Sequence, residues 1–351
     1  MPGMVRGSTM LEKTQPLAIF MEGSLGQLDG KMGYGVLRYS ENPVVCVIDS
    51  IQAGLNVSDV IDVGRDCPVV SNVEQAYELG ARVLVLGIAP SGGRVPADWF
   101  PAIDKALELE MSLVNGLHDF LAPRYKGRLK QHQFIWDVRD MGDKVPGMAQ
   151  GRAGQLSNRR VLMVGTDMAI GKMTVGLELH RQLRRDKIDA GFIATGQIGL
   201  TIKSFGVPLD AVKVDHSCGW MEDLNLQLAH HPVVIIEGQG SLLHPGSSAT
   251  LSLMRGSCPT DLVLCHKAGM THLDTSSVLV PSLRKVIELN ELVASAAGAL
   301  TSAKTIGVAL NTSHLDESSA LYEISKTEDE VGLPVTDVVR FGAGTLSSRL
   351  H

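Results

Sequence analysis

The segment Gly165–Thr174, GTDMAIGKMT, carries the residue types and spacing of a phosphate-binding loop. An apolar run ends at its first glycine, and a pattern with helical spacing follows Lys172. Backbone N–H groups in such a loop, the start of a helix and one lysine together make a site for a di- or triphosphate. The segment therefore predicts a strand, a phosphate loop and a helix, in that order.

This loop departs from the strict phosphate-loop pattern in two ways. Five residues instead of four separate its glycines, and Met173 stands where a serine or threonine would follow the lysine. In nucleotide hydrolases that hydroxyl holds Mg²⁺, which neutralises charge in the transition state. Thr174 lies about 100° further around a helix and would replace the hydroxyl only if the helix began one residue late. Phosphate binding is therefore the stronger prediction, and metal-dependent nucleotide chemistry the weaker one.

An acidic residue follows a second apolar run. VVIIEG predicts a strand that ends on Glu237, where nucleotide hydrolases place an acid near the phosphate loop. The structural alternative is an acid that only caps a loop. Glu237 is thus a candidate for the chemistry beside the phosphate site.

The elements that must position these residues form two α/β series. In the first, PLAIFMEG, PVVCVIDS and ARVLVLGIAP predict strands, and VEQAYELG predicts a helix that ends at Gly80. Continuous apolar runs separated by helices indicate parallel sheets that are covered on both faces. The expected fold class is α/β, with a Rossmann-like N-terminal domain, a P-loop NTPase-like C-terminal domain and mostly parallel sheets.

A break in apolar periodicity over residues 142–160 predicts a linker between the two series. Beyond the phosphate loop, AGFIATGQIG, HPVVIIEGQGSL, TDLVLCHKAG and AKTIGVALNT predict further strands. Helices are expected near residues 220–230 and 281–298. The predicted domains are a disordered tail over 1–15, a Rossmann-like domain over 16–145 and a P-loop domain over 146–351.

Several glycines follow the first predicted strand without spelling G-x-G-x-x-G. A dinucleotide site is therefore a weak interpretation, although Asp49 ends the next strand as such a site requires. The alternative is that these glycines only allow a sharp turn. APSGGRVP and VNGLHDFL also follow predicted strands and are candidates for a binding rim.

Composition excludes several other classes of protein. The net charge of -6 gives no general basic field for nucleic acid. No apolar run is long enough to span a membrane, and the N-terminus lacks the apolar core of a signal peptide, so a cytoplasmic protein is expected. The five cysteines form no Cys-x-x-Cys pair and are expected to be reduced and mostly buried. Neither a zinc-site spacing nor a G-x-S-x-G elbow occurs.

Two protein groups resemble these motifs. GTDMAIGK and IIEGQG are similar to the dethiobiotin-synthetase and cobyric-acid-synthase type of phosphate-loop protein, over a short part of the chain. A resemblance over nearly the whole chain rests on GTDMAIGKMTVGLEL, EGQGSLLHPG, LVLCHKAG, IAPSGGRVP and VNGLHDFL. These segments are similar to a family first described only as a domain of unknown function, which includes the DgcN-type D-glutamate N-acetyltransferases.

The second resemblance implies an acyltransferase that moves the acetyl group of acetyl-CoA to the amine of D-glutamate, giving N-acetyl-D-glutamate. Its partners would be these small molecules, and self-association into a homo-oligomer is a further expectation. Two alternatives stay open. One is an ATP-dependent ligase or kinase of the dethiobiotin-synthetase type, and the other is a nucleotide-binding regulatory protein without catalysis.

The implied activity explains the unusual loop, because acyl transfer holds the pyrophosphate of coenzyme A without cleaving it. No Mg²⁺ is then expected to be required, no metal site is expected, and Met173 becomes a packing residue. The residues expected to bind acetyl-CoA are Gly165, Thr166, Asp167, Ala169, Ile170, Gly171, Lys172, Met173 and Thr174.

Acetyl transfer also needs a base, an oxyanion stabiliser and positive groups for the acceptor's carboxylates. Glu237 is the favoured base and His244 the second choice. The remaining candidates share an ability to bind an acidic substrate, as cations or as hydroxyl donors, and are Arg255, Lys267, Ser247 and Ser248. Each has an ordinary structural explanation when taken alone, as does His266, which can be a buried core histidine.

Overall fold

The computed structural model of the protein describes residues 11–143, 145–274 and 276–351. The chain divides into two compact units. The first unit extends to Gly142 and also contains Gln197–Ser204, and the second contains Asp143–Gly196 and Phe205–His351. Gln197–Ser204 thus groups with the first unit although it lies within the range predicted for the second domain.

The predicted tail over residues 1–15 lies mostly outside the described residues, which begin at Leu11. Leu11 is only 4% exposed. The side-chain amide of Asn42 donates to the main-chain oxygens of Glu12, at 2.7 Å, and Gln15, at 2.9 Å. The described end of this segment is therefore held by the first unit.

The first unit contains a six-stranded sheet within the described residues. Its strands are β1 (Leu17–Phe20), β2 (Val44–Ile48), β3 (Val69–Val70), β4 (Val83–Leu86), β5 (Ser112–Asn115) and β6 (Ile135–Asp137). All neighbours are parallel, in the order β3-β2-β1-β4-β5-β6. This is the Rossmann strand order, in which the direction of winding reverses between β1 and β4.

The second unit contains a second sheet, again of six parallel strands among the described residues. They are β7 (Arg159–Gly165), β8 (Ala190–Ile193), β9 (Val233–Ile236), β10 (Asp261–Lys267), β11 (Lys304–Asn311) and β12 (Val335–Thr336). Their order is β12-β11-β10-β7-β9-β8. The predicted α/β fold class with two mostly parallel sheets is therefore confirmed.

Helices connect the strands in both units. In chain order they are α1 (Lys31–Tyr39), α2 (Val57–Val60), α3 (Val73–Glu78), α4 (Phe100–Glu108), α5 (Lys172–Arg185), α6 (Gln197–Lys203), α7 (Val214–Gln227), α8 (Ala249–Ser257), α9 (Leu283–Ala294), α10 (Glu317–Val331) and α11 (Gly344–Ser347). Each predicted helical segment corresponds to one of these, including those near residues 220–230 and 281–298. In the first unit, α6 packs on α1.

Burial explains why the strands are continuous apolar runs. Every residue of β1, β4 and β9 is buried. Helices on both faces of a parallel sheet shield each strand from water, so an alternating polar pattern is not needed. The short strands β3 and β12, of two residues each, lie at sheet edges.

Helix α3 shows how local sequence determines an element. The Asn72 side chain accepts a hydrogen bond from the Gln75 amide at 2.9 Å and so caps the first turn. Beyond the helix, Gly80 adopts a φ of +97°, in the left-handed region that favours glycine. The helix and its predicted end at Gly80 are confirmed.

The described part of the predicted linker is ordered by hydrogen bonds to helix α7. The carboxylate of Glu222, which is buried in α7, accepts hydrogen bonds from the main-chain amides of Gln150, at 3.0 Å, and Arg152, at 2.7 Å. The Arg152 side chain also pairs with Glu222, at 2.7 Å. Because β7 begins at Arg159, the last two residues of the predicted linker belong to a strand.

The glycine-rich loop after β1 is closed by its own chain. The Tyr34 hydroxyl donates to the main-chain oxygen of Gln27 at 2.7 Å. The Asp49 carboxylate, buried at the end of β2, accepts from the Leu25 amide at 3.0 Å. An acid that would hold the ribose of a dinucleotide is thus bonded to the loop itself.

No helix among the described residues has the length and apolar character needed to cross a membrane.

Candidate functional site

The phosphate loop joins β7 to α5 in the second unit, as predicted. Gly165 ends β7, and α5 begins at Lys172. Between them, Ala169 and Gly171 have positive φ angles of +53° and +109°. These conformations turn the chain so that the loop leads directly into the first turn of α5. Because parallel strands share a carboxyl edge, the loops after β8, β9 and β10 lie at the same edge.

The later main-chain amides of this loop, from Ala169 to Thr174, have no acceptor among the described residues. Within the described part of the protein, the hydrogen bonds use none of the amides of Ala169–Thr174, and the first amide of α5 to be used is that of Val175, which donates to the Gly171 oxygen at 2.9 Å. Unpaired amides at a helix start attract anions through their N–H groups and the helix dipole. The geometry therefore fits a bound phosphate.

Lys172 is enclosed beside these amides. Its ammonium donates to the Asp167 main-chain oxygen at 2.6 Å, and its side chain is buried. Burial lowers the pKa of Lys172, against the opposing influence of Asp167 and Glu237. A Cβ placed on Gly238 would lie 2.9 Å from Lys172 Cδ and 1.8 Å from the Met163 oxygen. Only a glycine at 238 therefore leaves room for the lysine and the strand.

Met173 and Thr174 occupy the first turn of α5. Because the helix begins at Lys172, the late start that would bring Thr174 into the position of the missing hydroxyl does not occur. Both side chains are half-buried. The first turn thus lacks a hydroxyl where a strict phosphate loop binds Mg²⁺.

The side chains of Thr166 and Asp167 hold the loop in place through hydrogen bonds to neighbouring segments. Thr166 Oγ1 shares a hydrogen bond with His266 Nδ1 at 2.9 Å. The Asp167 carboxylate accepts from the amides of Met168, at 2.7 Å, and Asp274, at 2.8 Å. Ile170 is buried in the same region. These contacts use the polar side-chain atoms of Thr166 and Asp167 within the protein.

His266 behaves as a core residue. It lies in β10, is 7% exposed, and burial lowers its pKa to about 4. The imidazole is therefore neutral at physiological pH. Through Thr166 it links β10 to the phosphate loop.

Glu237 lies just beyond the end of β9, and its side chain is only 2% exposed. One carboxylate oxygen, Oε2, accepts from the amides of Thr195, at 2.8 Å, and Gly196, at 3.3 Å. Burial raises the pKa of Glu237 to about 7, although these amides and the Lys172 charge lower it. Glu237 is thus a buried carboxyl group whose protonated and ionised forms are similarly populated near neutral pH.

The loop after Glu237 is fastened to the phosphate loop. Ser241 Oγ donates to the Thr166 main-chain oxygen at 2.9 Å. The Ser241 amide donates to Ser247 Oγ at 3.1 Å. His244 is buried, and its Nδ1 accepts from the Gly246 amide at 3.0 Å. Ser241, His244 and Ser247 therefore hold the loop in shape.

Two predicted substrate residues remain near this edge. Ser248 is exposed immediately before α8, and Lys267 is the half-buried last residue of β10. Cys265, two residues before Lys267, pairs with Gly165 across the strands. Lys267 therefore lies beside the phosphate loop.

Arg255 is not brought to this edge. It lies in the last turn of α8, and its guanidinium donates to the Val293 main-chain oxygen at 2.8 Å, at the end of α9. Since the chain then enters β10 at Asp261, Arg255 lies towards the amino edge of the sheet, opposite the phosphate loop. Its described contact stabilises a helix end.

Sequence reasoning did not identify Thr195, Gly196, Gly238 or Gln239. The first two supply the amides that bind Glu237, and the third leaves room for Lys172. A glycine directly after a candidate acid was the available signal for Gly238.

Among the described residues, no group of three or more His, Cys, Asp or Glu side chains is arranged to hold a metal ion.

The two sheets and the phosphate loop define an α/β protein with a Rossmann-like and a P-loop domain. Family models match both parts: residues 50–141 match the DUF1611 N-terminal Rossmann-like domain of unknown function, and residues 147–347 match the DUF1611 C-terminal P-loop domain. The chain belongs to the DUF1611 family.

Three relatives match nearly the whole chain. A D-glutamate N-acetyltransferase of Pseudoalteromonas is 32% identical over 340 residues, which is 95% of this chain and 98% of the relative. One of Tritonibacter scottomollicae is 31% identical over 339 residues, with the same coverage. A crystal structure of a DUF1611 family protein from Anabaena variabilis is 47% identical, with a TM-score of 0.92, over 96% of this chain and 99% of that one.

Proposed function

We propose that the protein is an N-acetyltransferase that moves the acetyl group of acetyl-CoA to the amine of D-glutamate, giving N-acetyl-D-glutamate. The observation that carries this proposal is the similarity to two D-glutamate N-acetyltransferases over 95% of the chain. The similarity extends over both units, so the matched region includes the phosphate loop and the sheet that supports it. Fold alone would not support an activity in this way.

The phosphate loop supports the acetyl donor. Coenzyme A carries a pyrophosphate, which the amides of Ala169–Thr174, unused among the described residues, and the ammonium of Lys172 are suited to hold. Acetyl transfer moves no phosphoryl group, so a first turn with Met173 in place of a hydroxyl is sufficient. Oriented amides and one lysine would hold the donor, while its thioester extends towards the neighbouring strand ends.

Glu237 would act as the base. The amine of D-glutamate, once it has lost its ammonium proton to solvent, attacks the thioester carbonyl. A carbon–nitrogen bond forms, the carbon–sulfur bond breaks, the second amine proton passes to the carboxylate, and coenzyme A leaves as a thiol after protonation. A base with a pKa of about 7 is well matched to this task at neutral pH.

The acceptor needs positive charge for its two carboxylates. Lys267, beside the phosphate loop, is the candidate that would supply this charge. Ser247 and Ser248 would donate further hydrogen bonds to the carboxylates. His244 remains the second candidate for the base, although its Nδ1 already accepts a hydrogen bond. These substrate roles belong to the proposal.

The first test measures thiol release from acetyl-CoA by the purified protein. D-glutamate should release thiol, and L-glutamate much less. A folded sample that is inactive with both enantiomers would exclude this function.

A ligase or kinase is the second candidate, because an acid lies beside the phosphate loop. The same preparation is assayed for thiol and phosphate release with Mg²⁺ and ATP and then with excess EDTA. The acetyltransferase should keep its activity in EDTA without ATP. Strict dependence on Mg²⁺ and ATP would favour the ligase or kinase, since bridging of phosphate oxygens by Mg²⁺ is central to phosphoryl transfer.

A further inference from the structure

The two oxygens of the Glu237 carboxylate have different surroundings. Oε2 accepts from two main-chain amides, those of Thr195 and Gly196, at 2.8 and 3.3 Å. Oε1 has one described partner, the side-chain amide of Gln239, whose Nε2 lies 3.4 Å away. Two main-chain donors leave Oε2 with little capacity for a proton. Oε1, with one long hydrogen bond, is the oxygen that can take one.

The Gln239 side chain is held in this position by its neighbours. A Cβ placed on Gly196 would lie 2.7 Å from Gln239 Nε2, and 3.4 Å from Glu237 Oε1. The Gln239 main-chain oxygen accepts from Thr250 Oγ1 at 2.7 Å. Gly196 thus provides the space that the carboxamide occupies, and Thr250 anchors the backbone behind it.

Gln239 is also exposed on one side, since its side chain is half-buried whereas Glu237 is fully enclosed. A carboxamide has two functional ends. With Nε2 on the carboxylate, its oxygen is left to accept a hydrogen bond from an N–H group. An amine that approached Gln239 would therefore meet an acceptor and, next to it, Oε1 of Glu237.

We infer that Gln239 is the positioning residue of this site: it presents Oε1 of Glu237 to the acceptor amine and makes Oε1 the atom that takes the amine proton. This inference rests on the proposed acetyltransferase function. The charged group that acts on Glu237 from a neighbouring element is Lys172 of α5. Besides Gln239, the described hydrogen-bond partners of the carboxylate are the main-chain amides of Thr195 and Gly196.

The test uses Gln239→Leu in the full-length protein. The Nε2–H group favours the ionised carboxylate, so its removal should raise the pKa of Glu237 and move the acid limb of kcat to higher pH, by about half a unit to one unit. At pH 7, this shift should lower the ionised fraction of Glu237, and with it kcat, about two- to sixfold. The KM for acetyl-CoA should stay unchanged. Gln227→Leu, on the exposed surface of α7, is the matched control.

Gln239→Glu separates positioning from simple packing. Glutamate fills the same space, so any rate loss that Gln239→Leu suffers from lost packing alone should be absent, whereas the loss of the Nε2 donor remains. Two carboxylates in one site cannot both ionise easily. The acid limb should therefore move to higher pH by more than about one unit, further than in Gln239→Leu.

A second variant reaches the same contact from the other side. Gly196→Ala should displace the carboxamide while leaving Glu237 at an ordinary contact distance. If both variants act on one contact, the double variant Gly196→Ala, Gln239→Leu should be no slower than the slower single variant. Rate losses that multiply would overturn the inference.

The outcomes separate the inference from the function. Absence of acetyl transfer to D-glutamate in the unmodified protein would refute the proposed function and this inference with it. Normal transfer together with an unmoved acid limb in folded Gln239→Leu would refute only the role of Gln239. Circular dichroism and thermal unfolding of each variant confirm that it is folded.

Discussion

The two units repeat one arrangement, in which a buried strand leads through a glycine-rich loop into a helix that begins with lysine. In the first unit the loop after β1 uses its own polar groups. Tyr34 and Asp49 bond to the loop, and the Gly33 amide near the start of α1 donates to the Gly87 oxygen at 2.7 Å. In the second unit, the amides at the start of α5 have no partner in the described chain.

This difference shows what makes a phosphate site. Both loops contain glycines, and both follow the strand at which the sheet changes its direction of winding. What distinguishes them in the described chain is that the Gly33 amide near the start of α1 already has an acceptor, whereas the amides of Lys172, Met173 and Thr174 have none. An anion gains most from N–H groups that have no other acceptor. Among the described residues, the start of α5 therefore offers more unused amides to an anion than the start of α1 does.

The acids at these two edges offer the sharpest contrast. Glu237→Gln keeps the size of the side chain and its acceptor for the Thr195 amide but removes the base. We expect kcat to fall by about 100-fold or more, with acetyl-CoA affinity nearly unchanged. Steady-state kinetics and calorimetric binding measure the two effects.

Asp49→Asn is the matched control in the first unit. It should leave kcat unchanged and lower the free energy of unfolding by about 1–3 kcal/mol, because a buried acceptor of main-chain amides is altered. A larger loss of kcat in Asp49→Asn than in Glu237→Gln would reverse the roles assigned to the two acids.

The lysines that begin α1 and α5 test the anion site. Lys172→Met removes the charge aimed at the phosphates, and charged hydrogen bonds contribute about 1.5–3 kcal/mol, so acetyl-CoA affinity should fall about ten- to a hundredfold. Lys31→Met alters the exposed lysine at the start of α1 and should leave affinity unchanged. Equal losses in both variants would remove the distinction between the two helix starts.

The pH dependence gives a smaller but specific effect. With a pKa of about 7, Glu237 is protonated as the pH falls, so kcat should decline about tenfold per unit well below pH 7. The decline should be absent from the residual activity of Glu237→Gln. An unchanged acid limb in that variant would assign it to another group.

The raised pKa of Glu237 also affects stability: the free energy of unfolding should fall as the pH rises, whereas kcat should increase. The pKa of Glu237 in the folded protein lies above its value of about 4.3 in an unfolded chain. The protonated carboxyl group therefore favours the folded state, and this contribution is lost as pH rises from about 4.3 through 7. Relative to Glu237→Gln, the protein should lose stability over that interval.

Local sequence was sufficient for the elements that bring the site together. Apolar runs bounded by turns predicted β7, β9 and β10, and the glycine and lysine spacing predicted the phosphate loop. Glu237 could be found because it directly follows such a run. In each case the signal lies within about ten residues, the scale on which periodicity and turn chemistry act.

The supporting contacts depend on pairings that are distant in sequence. Thr195 and Glu237 are 42 residues apart, and nothing in either segment identifies the other. Arg255 was predicted to bind substrate from its charge, but the direction of α8 places it at the other edge of the sheet. The strands β3 and β12, with two residues each, are too short to carry a periodic pattern.

Helix α6 has a consequence for the order in which the protein is made. The main part of the first unit ends at Gly142, but its last helix ends near Ser204, which is 62 residues later. Helix α6 packs on α1, and its residues 199–202 are buried. At about 5–20 residues per second, a ribosome needs about 3–12 seconds to add that length. During synthesis, the α6-facing surface of α1 therefore stays uncovered until β7 and the phosphate loop have already been translated.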